Sequence, residues 1–232
     1  KKAENIVNIA TISTSQLTEN WNPLSPTASQ GTCGALYEGL FYVNVAGGDD
    51  TMQPMLGESY KFSDDNKELT IKLKDGLKWS DGKPITSDDA VYTFNLINKT
   101  SSLNSIGWHG TVKKVDDTTF TLIFDQVATM TLARRILTGV PLVPKHVFEK
   151  MDDVTTDVNK NPVTSGPFTL DEKDFTSQNY VFRAIRITMR RASHISTVFA
   201  THPMLAVLPP RMQSSQVKST GLRMYSRIRR SS

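Results

Sequence analysis

The side chains that could do chemistry are scattered along this chain without the spacing that catalysis or metal binding requires. The histidines lack metal-ligand spacing and are expected at the surface or at helix caps: His109, His146, His194 and His202. Paired aspartates fall where turns or helix starts explain them: Asp64-Asp65, Asp88-Asp89, Asp116-Asp117 and Asp152-Asp153. No phosphate loop, dinucleotide fingerprint or nucleophile-elbow serine occurs in the sequence. We therefore expect no enzyme, no bound metal and no cofactor.

The composition is that of a soluble globular protein. Hydrophobic residues make up 38% of the 232 residues and charged residues 22%, as in ordinary soluble domains. The single cysteine, Cys33, is expected to be a small buried apolar residue. No apolar run reaches the length of a membrane span, and the polar residues 1–5 do not resemble a signal peptide. We expect a chain that is cytosolic, or secreted and already processed.

The positive charge is confined to one end of the chain. The net charge of +4 and the high isoelectric point of about 9.1 would ordinarily suggest a nucleic-acid partner. Residues 185–232, however, carry nine basic and no acidic residues, whereas the preceding residues carry 18 basic and 23 acidic ones. The two parts need separate explanations, and no nucleic-acid partner is expected for the larger one.

The elements that must position any functional side chain follow a mixed pattern of strands and helices, of the α+β kind with antiparallel hairpins. Alternation in residues 68–74 predicts a strand that buries Leu69, Ile71 and Leu73 on one face. Thr86 begins a helix that carries Val91, Phe94 and Ile97 on one side. Further strands are predicted at 5–10, 118–124, 168–170 and 179–183, further helices at 128–137 and within 141–150, and a helix-compatible stretch at 32–43. Residues 18–27 and 161–168 read as loops.

Several segments resemble a known family in the right order. The most specific is the run from Leu69 to Tyr92, which contains Lys78-Trp79-Ser80-Asp81-Gly82-Lys83 and follows Leu56-Gly57-Glu58-Ser59-Tyr60. It resembles the signature block of the family 5 solute-binding proteins, the oligopeptide-, dipeptide-, nickel- and oligosaccharide-binding components of ABC importers. Residues 37–41, 143–148 and 161–168 resemble three more family segments, although Thr164-Ser165 departs from the family pattern "NPVGTGPF". The resemblance covers about residues 5–184.

The resemblance implies a fold class as well. It implies an α/β (α+β mixed) chain like the type II periplasmic-binding proteins, truncated to part of lobe one and the small additional domain. Residues 1–35 would be the first segment of lobe one, 36–160 the small domain and 161–184 the return segment. The second lobe is expected to be missing. We therefore expect these residues alone to bind solute with negligible affinity, because a clamp needs both lobes to close.

Residues 185–232 are expected to be an aberrant, disordered tail that arose by a frameshift. Codons that encode residues 184–195 can be chosen so that a one-base shift reads "NPNYYEKGKPH", which resembles the family's continuation. The same shift applied to residues 213–222 permits a second family-like segment, "VLAGEVDWA". Loss of one base near codon 184 would also explain why no Asp or Glu occurs in this tail. The tail shows no sustained apolar period.

The resemblance also suggests which residues would contact a solute. In the family, the loop before the first long helix contributes ligand contacts, and here that loop is Trp21 to Thr27. Ser25 and Thr27 align best with the contacting backbone, and Asn22 lies between them and Trp21. Trp21 could stack on an aromatic or sugar face or could pack in the core. Trp108 could face the cleft or could simply pack within the small domain.

The function implied by the resemblance is solute capture and not catalysis. Such a protein would bind oligopeptides outside the cytoplasmic membrane, in the periplasm or as a lipoprotein, and would deliver them as a monomer to the permease subunits of an ABC transporter. An oligosaccharide ligand is the alternative within transport. A cell-surface module that senses a peptide pheromone or a protein partner is the alternative from another class.

Overall fold

Two four-stranded sheets and a two-stranded ribbon organise the chain. The structure is a computed structural model that describes residues 6–10, 18–44, 49–170, 175–176, 179–184 and 197–201. The strands are β1 (Ile6–Ala10), β2 (Phe41–Asn44), β3 (Asp49–Pro54), β4 (Gly57–Phe62), β5 (Glu68–Leu73), β6 (Gly110–Lys114), β7 (Thr119–Phe124), β8 (Phe168–Leu170), β9 (Asn179–Ala184) and β10 (Thr197–Thr201). The helices are α1 (Ser87–Lys99), α2 (Met130–Gly139) and α3 (Lys145–Phe148), with a short 3-10 helix at Ser101–Leu103.

The antiparallel sheet β4-β5-β7-β6 is the centre of the predicted small domain. The alternation predicted for β5 is confirmed, because Leu69, Ile71 and Leu73 are fully buried. Helix α1 contacts β6 and β7 and buries Phe94 and Ile97, whereas Val91 is only half-buried. The side chains of this sheet and helix belong to one continuous apolar core that extends to Trp21 and Phe182.

The second sheet has the order β1-β10-β9-β8. Strand β10 pairs in parallel with β1 and antiparallel with β9. It lies inside residues 185–232, where disorder was expected, so the structure differs from that expectation over Thr197–Thr201. Residues 185–196 and 202–232 lie outside the described residues, and the frameshift stays a prediction.

Residues 32–43 were expected to be compatible with a helix, but they do not form one. Turns fill the segment until β2 begins at Phe41. Gly31 and Gly34 have φ values of +85° and +99°, a region that favours glycine and interrupts a right-handed helix. The segment 31–39, which we call the irregular wall, therefore consists of turns and irregular backbone and not of a helix.

Two of the segments that resemble family motifs, the block at 69–92 and residues 143–148, meet around Asp89. This buried carboxylate accepts hydrogen bonds from the backbone of Thr86 (3.0 Å), from Trp79 Nε1 (3.3 Å) and from the backbone of Lys145 (2.9 Å). The bond from Thr86 is half of the capping box that begins α1. We call Trp79, Thr86, Asp89 and Lys145 the signature junction. It ties the turn after β5 to both α1 and α3.

Two further contacts extend the signature junction to neighbouring segments. His146 Nε2 lies 2.7 Å from Asp81 Oδ2, within the turn of the signature block. Ser80 and Thr164 are joined by two hydrogen bonds, Ser80 N to the Thr164 carbonyl (2.8 Å) and Thr164 N to Ser80 Oγ (2.9 Å). The specific residue types of the block are thus explained by the contacts that fix the fold. None of the helices in the described ranges is long and apolar enough to cross a membrane.

Candidate functional site

The loop predicted to contact solute is fixed at both ends by backbone hydrogen bonds. Trp21 N donates to the Val158 carbonyl at 2.8 Å, and Ser29 N donates to the Asn20 carbonyl at 2.7 Å. A turn closes between them, because Ser25 N donates to the Asn22 carbonyl at 3.0 Å. The loop is therefore held in one conformation, although two prolines keep it out of any sheet.

Asn22 anchors the loop from beneath. Its side chain is fully buried, and its Nδ2 donates to the carbonyls of Val154 (2.8 Å) and Asp157 (3.0 Å). Its Oδ1 accepts from Leu24 N at 3.0 Å. Both polar atoms of the side chain are therefore used within the protein, and this arrangement favours a structural role for Asn22 over the ligand contact predicted from sequence.

Ser25 and Thr27 carry the part of the loop that reaches solvent. Thr27 is exposed and Ser25 half-buried, and their hydroxyl oxygens lie 3.1 Å apart. Asn20 Nδ2 donates to both, at 3.0 and 3.1 Å. Ser25 Oγ also accepts from Thr27 N at 3.3 Å, and one of the two hydroxyls donates to the other. The second O–H group of the pair stays available to donate to a solute. Their predicted ligand role stays a prediction.

Both tryptophans considered as stacking residues are fully buried. Trp21 makes edge contacts with the rings of Phe175, Tyr180 and Phe182, at centroid distances of 5.9, 4.9 and 5.9 Å. Trp108 makes an edge contact with Phe94 at 5.3 Å. These contacts favour the packing role for each side chain, because a ring without exposed surface offers no face to a solute. The indole N–H groups of both residues are buried and have no partner in the described part of the chain.

A groove of about 540 Å³ opens next to this loop, and sequence reasoning did not find it. Cys33 joins the two, since its thiol donates to the Pro23 carbonyl at 3.6 Å. The residues that line the groove come from the irregular wall, from β2, from the bend between β3 and β4, and from the end of α2 with the residues after it: Cys33, Gly34, Tyr37, Glu38, Gly39, Phe41, Tyr42, Met55, Thr138, Gly139 and Pro141. The available signal was the run Tyr37-Glu38-Gly39-Leu40-Phe41-Tyr42, in which one acidic residue interrupts an aromatic and apolar segment.

Two titratable groups of the groove have raised pKa values. Burial raises the pKa of the Glu38 carboxyl, and the positive charge of Lys74 acts in the opposite direction. Cys33 as a residue is exposed, but the protein atoms around its sulfur exclude water and raise the pKa of the thiol. The thiol is therefore mostly protonated at neutral pH, and this does not favour a nucleophilic role.

The return loop at residues 161–168 is hydrogen-bonded to the irregular wall of the groove. Gly166 N donates to the Leu36 carbonyl at 2.7 Å, and Ser165 Oγ accepts from Glu38 N at 3.1 Å. A Cβ atom on Gly166 would lie 2.2 Å from the carbonyl oxygen of Ala35, a distance that no side chain tolerates. Glycine is therefore required here because two backbones approach closely.

A family comparison identifies the chain. The model of the bacterial extracellular solute-binding proteins, family 5, matches residues 51–184, which is more than half of the 232 residues. The chain belongs to this family. Two curated relatives of this family 5 chain are Protein XP55 of Streptomyces lividans and a probable ABC transporter-binding protein of Deinococcus radiodurans. Protein XP55 is 28% identical to this chain, and the match covers 87% of this chain and 40% of Protein XP55. The Deinococcus protein is 33% identical, and the match covers 51% of this chain and 23% of that protein.

Solved structures confirm the type II fold expected from the resemblance. A periplasmic oligopeptide-binding protein of Thermotoga maritima superposes with a TM-score of 0.77 at 27% identity, over 88% of this chain and 39% of that chain. A second structure of the same protein, bound to mannohexaose, superposes with a TM-score of 0.76 at 27% identity, over 87% of this chain and 38% of that chain. The family 5 chain thus spans about 40% of the length of Protein XP55 and of the Thermotoga protein, and 23% of the Deinococcus protein. The mixed α/β architecture corresponds to part of the fold of a solute-binding protein.

Proposed function

We propose that this family 5 chain forms one wall of a solute-binding cleft and that its solute is an oligopeptide. The supporting observation is the groove of about 540 Å³, which Cys33 connects to the loop that carries the Ser25–Thr27 pair through its bond to the Pro23 carbonyl. Its volume lies within the range of ligand sites. Hydroxyls in the loop and an apolar groove wall suit a ligand with polar main-chain atoms and varied side chains.

The remaining parts of the proposal come from the family. Its members are described as extracellular, and the Thermotoga relative is named as a periplasmic oligopeptide-binding protein of an ABC transporter. We propose that the protein acts outside the cytoplasmic membrane and passes its solute to membrane permease subunits. A lipid anchor and a monomeric state belong to the same proposal.

An oligosaccharide is the second candidate solute. The Thermotoga relative has been solved with mannohexaose bound, and the exposed ring of Tyr42 in the groove could pack against a sugar face. The burial of Trp21 weighs against this candidate, because that ring was the stacking platform considered for a sugar.

A titration followed by NMR tests the proposal. One wall of a cleft binds weakly, so amide shifts of the 15N-labelled chain are measured during addition of a tetrapeptide mixture and, separately, of cello-oligosaccharides. We expect the amide shifts of residues near Ser25, Thr27 and the groove to saturate in the peptide titration and to stay unchanged in the oligosaccharide titration. Shifts with the oligosaccharides alone would replace the peptide by the second candidate.

Matched variants separate binding from folding. The double variant S25A/T27A removes the two loop hydroxyls and is expected to weaken peptide binding severalfold. The control S59A/T111A removes two exposed hydroxyls from strands β4 and β6 and should leave binding unchanged. Equal binding by both double variants would refute a role for the loop hydroxyls. Micromolar binding in calorimetry would contradict the expected negligible affinity of these residues alone.

A further inference from the structure

The groove contains one charged side chain. Among the described residues that line it, Glu38 alone carries a charge at neutral pH, and the other walls are aromatic, aliphatic or backbone. The half-buried Glu38 projects from the irregular wall, whose position the return loop fixes through the bond from Glu38 N to Ser165 Oγ. The carboxylate is therefore placed by the fold in an otherwise apolar groove.

The carboxylate of Glu38 has no hydrogen-bond donor within the described part of the chain. Other acidic groups of this protein have partners: Asp89 accepts three hydrogen bonds, and Glu58 lies 2.6 Å from Lys72. Lys74, the cation whose charge acts on Glu38, instead donates to the Pro54 carbonyl at 2.9 Å. Both carboxylate oxygens are therefore left to accept hydrogen bonds from water or from a ligand.

The walls around this carboxylate suit a cation that carries an alkyl chain. Tyr42 is 55% exposed although its neighbour Phe41 is buried, so its ring is available to a ligand. Met55 and Pro141 add apolar surface beside it. An ammonium or guanidinium group could pair with the carboxylate while its methylene stem lies on the apolar walls and the Tyr42 ring.

Other ligand chemistries fit this arrangement less well. An anionic group would meet the charge of Glu38 without a compensating donor. A sugar would need several hydrogen-bonding groups for its hydroxyls, whereas the side-chain groups of the groove with free polar capacity are few. The hydroxyl of Tyr37 already accepts from Asn159 Nδ2 at 2.9 Å, and that of Thr138 donates to the Arg134 carbonyl at 2.9 Å.

We propose that the groove is a subsite for a primary ammonium or guanidinium group on an alkyl chain, with Glu38 as its counter-ion and Tyr42 as the ring that covers its stem. If the proposed peptide function holds, the occupant is the side chain of a lysine or arginine in the peptide. The raised pKa of Glu38 accords with this assignment, because burial without a cation disfavours the charged carboxylate.

Small probes test the subsite without assuming a peptide. The 15N-labelled chain is titrated with n-pentylammonium and with 1-pentanol, which have the same alkyl chain and differ in charge. We expect saturable shifts at Glu38, Gly39 and Tyr42, and binding of the ammonium about tenfold tighter than that of the alcohol, as charge-assisted hydrogen bonds allow. Equal affinity for the two probes would overturn the proposal.

Variants assign the effect to its residues. E38Q keeps the shape of the side chain and removes its charge, so it should abolish the preference for the ammonium. E58Q removes one negative charge from the exposed side chain paired with Lys72 and should retain the preference. Y42A should weaken binding of both probes severalfold while the circular dichroism spectrum stays unchanged. A preference that persists in E38Q would also overturn the proposal.

A peptide pair separates this inference from the proposed function. Ala-Ala-Lys-Ala and its norleucine analogue are compared with wild type and E38Q. If neither peptide binds but pentylammonium does, the peptide function fails and the subsite stands. If both peptides bind wild type and E38Q equally, the peptide function stands and the subsite is refuted.

Discussion

Replacement of Asp89 by alanine should destabilise the protein far more than the same change at its neighbour Asp88. Asp89 is 5% exposed and accepts the three hydrogen bonds of the signature junction. Asp88 also lies in the first turn of α1, but its side chain is 53% exposed and its ion pair with Lys114 reaches solvent. Both residues are aspartates of the same helical turn, so the comparison isolates the burial and the hydrogen bonds of Asp89.

The magnitude follows from the groups that D89A would leave without an acceptor. The buried indole N–H of Trp79 would lose its partner at a cost of about 1–3 kcal/mol. The capping box of α1 would lose half of its bonds, at about 1 kcal/mol, and the backbone N–H of Lys145 would lose its partner at about the same cost. We expect D89A to lower the free energy of unfolding by about 3–5 kcal/mol and D88A by less than about 1 kcal/mol.

Urea unfolding measures this difference directly. Fluorescence of the buried tryptophans reports loss of the core, and the midpoint and slope of the transition give the free energy of unfolding. D89N, which keeps one acceptor oxygen, should fall between wild type and D89A. If D89A were no less stable than D88A, the carboxylate would not hold the signature junction together, and the structural explanation of the block would be wrong.

Two further predictions concern the return loop and the response to acid. G166A should lower the free energy of unfolding by about 1–3 kcal/mol, since its Cβ would clash with Ala35, whereas G139A meets no atom within 4 Å and should be neutral in the same urea assay. Burial opposes ionisation of Asp81, but bonds from the Lys83 backbone and His146 outweigh it and lower the pKa of the carboxyl. The stabilisation by Asp81 is therefore present when the pH is above the ordinary aspartate pKa. It is lost as the pH falls through the lower pKa that this carboxyl has in the folded protein. The stability gap between wild type and D81N should then close below about pH 4 in acid unfolding curves, and a gap independent of pH would contradict this.

Local patterns predicted the small sheet and its helix well. The alternation of β5 and the cap at Thr86 are decided by neighbours within a few residues, and the structure contains both. The pattern at residues 32–43 misled because its apolar residues pack in turns held by distant segments, such as the bond from Gly166 N to the Leu36 carbonyl. Short-range periodicity carries no information about such partners.

The predicted solute contacts also divide into features that local sequence decides and features that distant residues decide. The loop itself and its exposed hydroxyls follow from proline positions and small polar residues. Whether an aromatic ring packs or faces a cleft depends on residues far away in sequence, such as Tyr180 and Phe182 around Trp21. The groove was not predicted because its walls come from three separate segments.

The hydrogen bonds that hold the loop at residues 20–29 have a consequence for the order in which the protein folds. Asn22 reaches partners 132 and 135 residues away, and Asn159 reaches Trp21 and Tyr37 across 138 and 122 residues. Contacts with such long loop closures form late, whereas β4, β5 and their hairpin turn are local. The loop at residues 20–29 should therefore open first, and its amides should exchange with deuterium faster than those of β5.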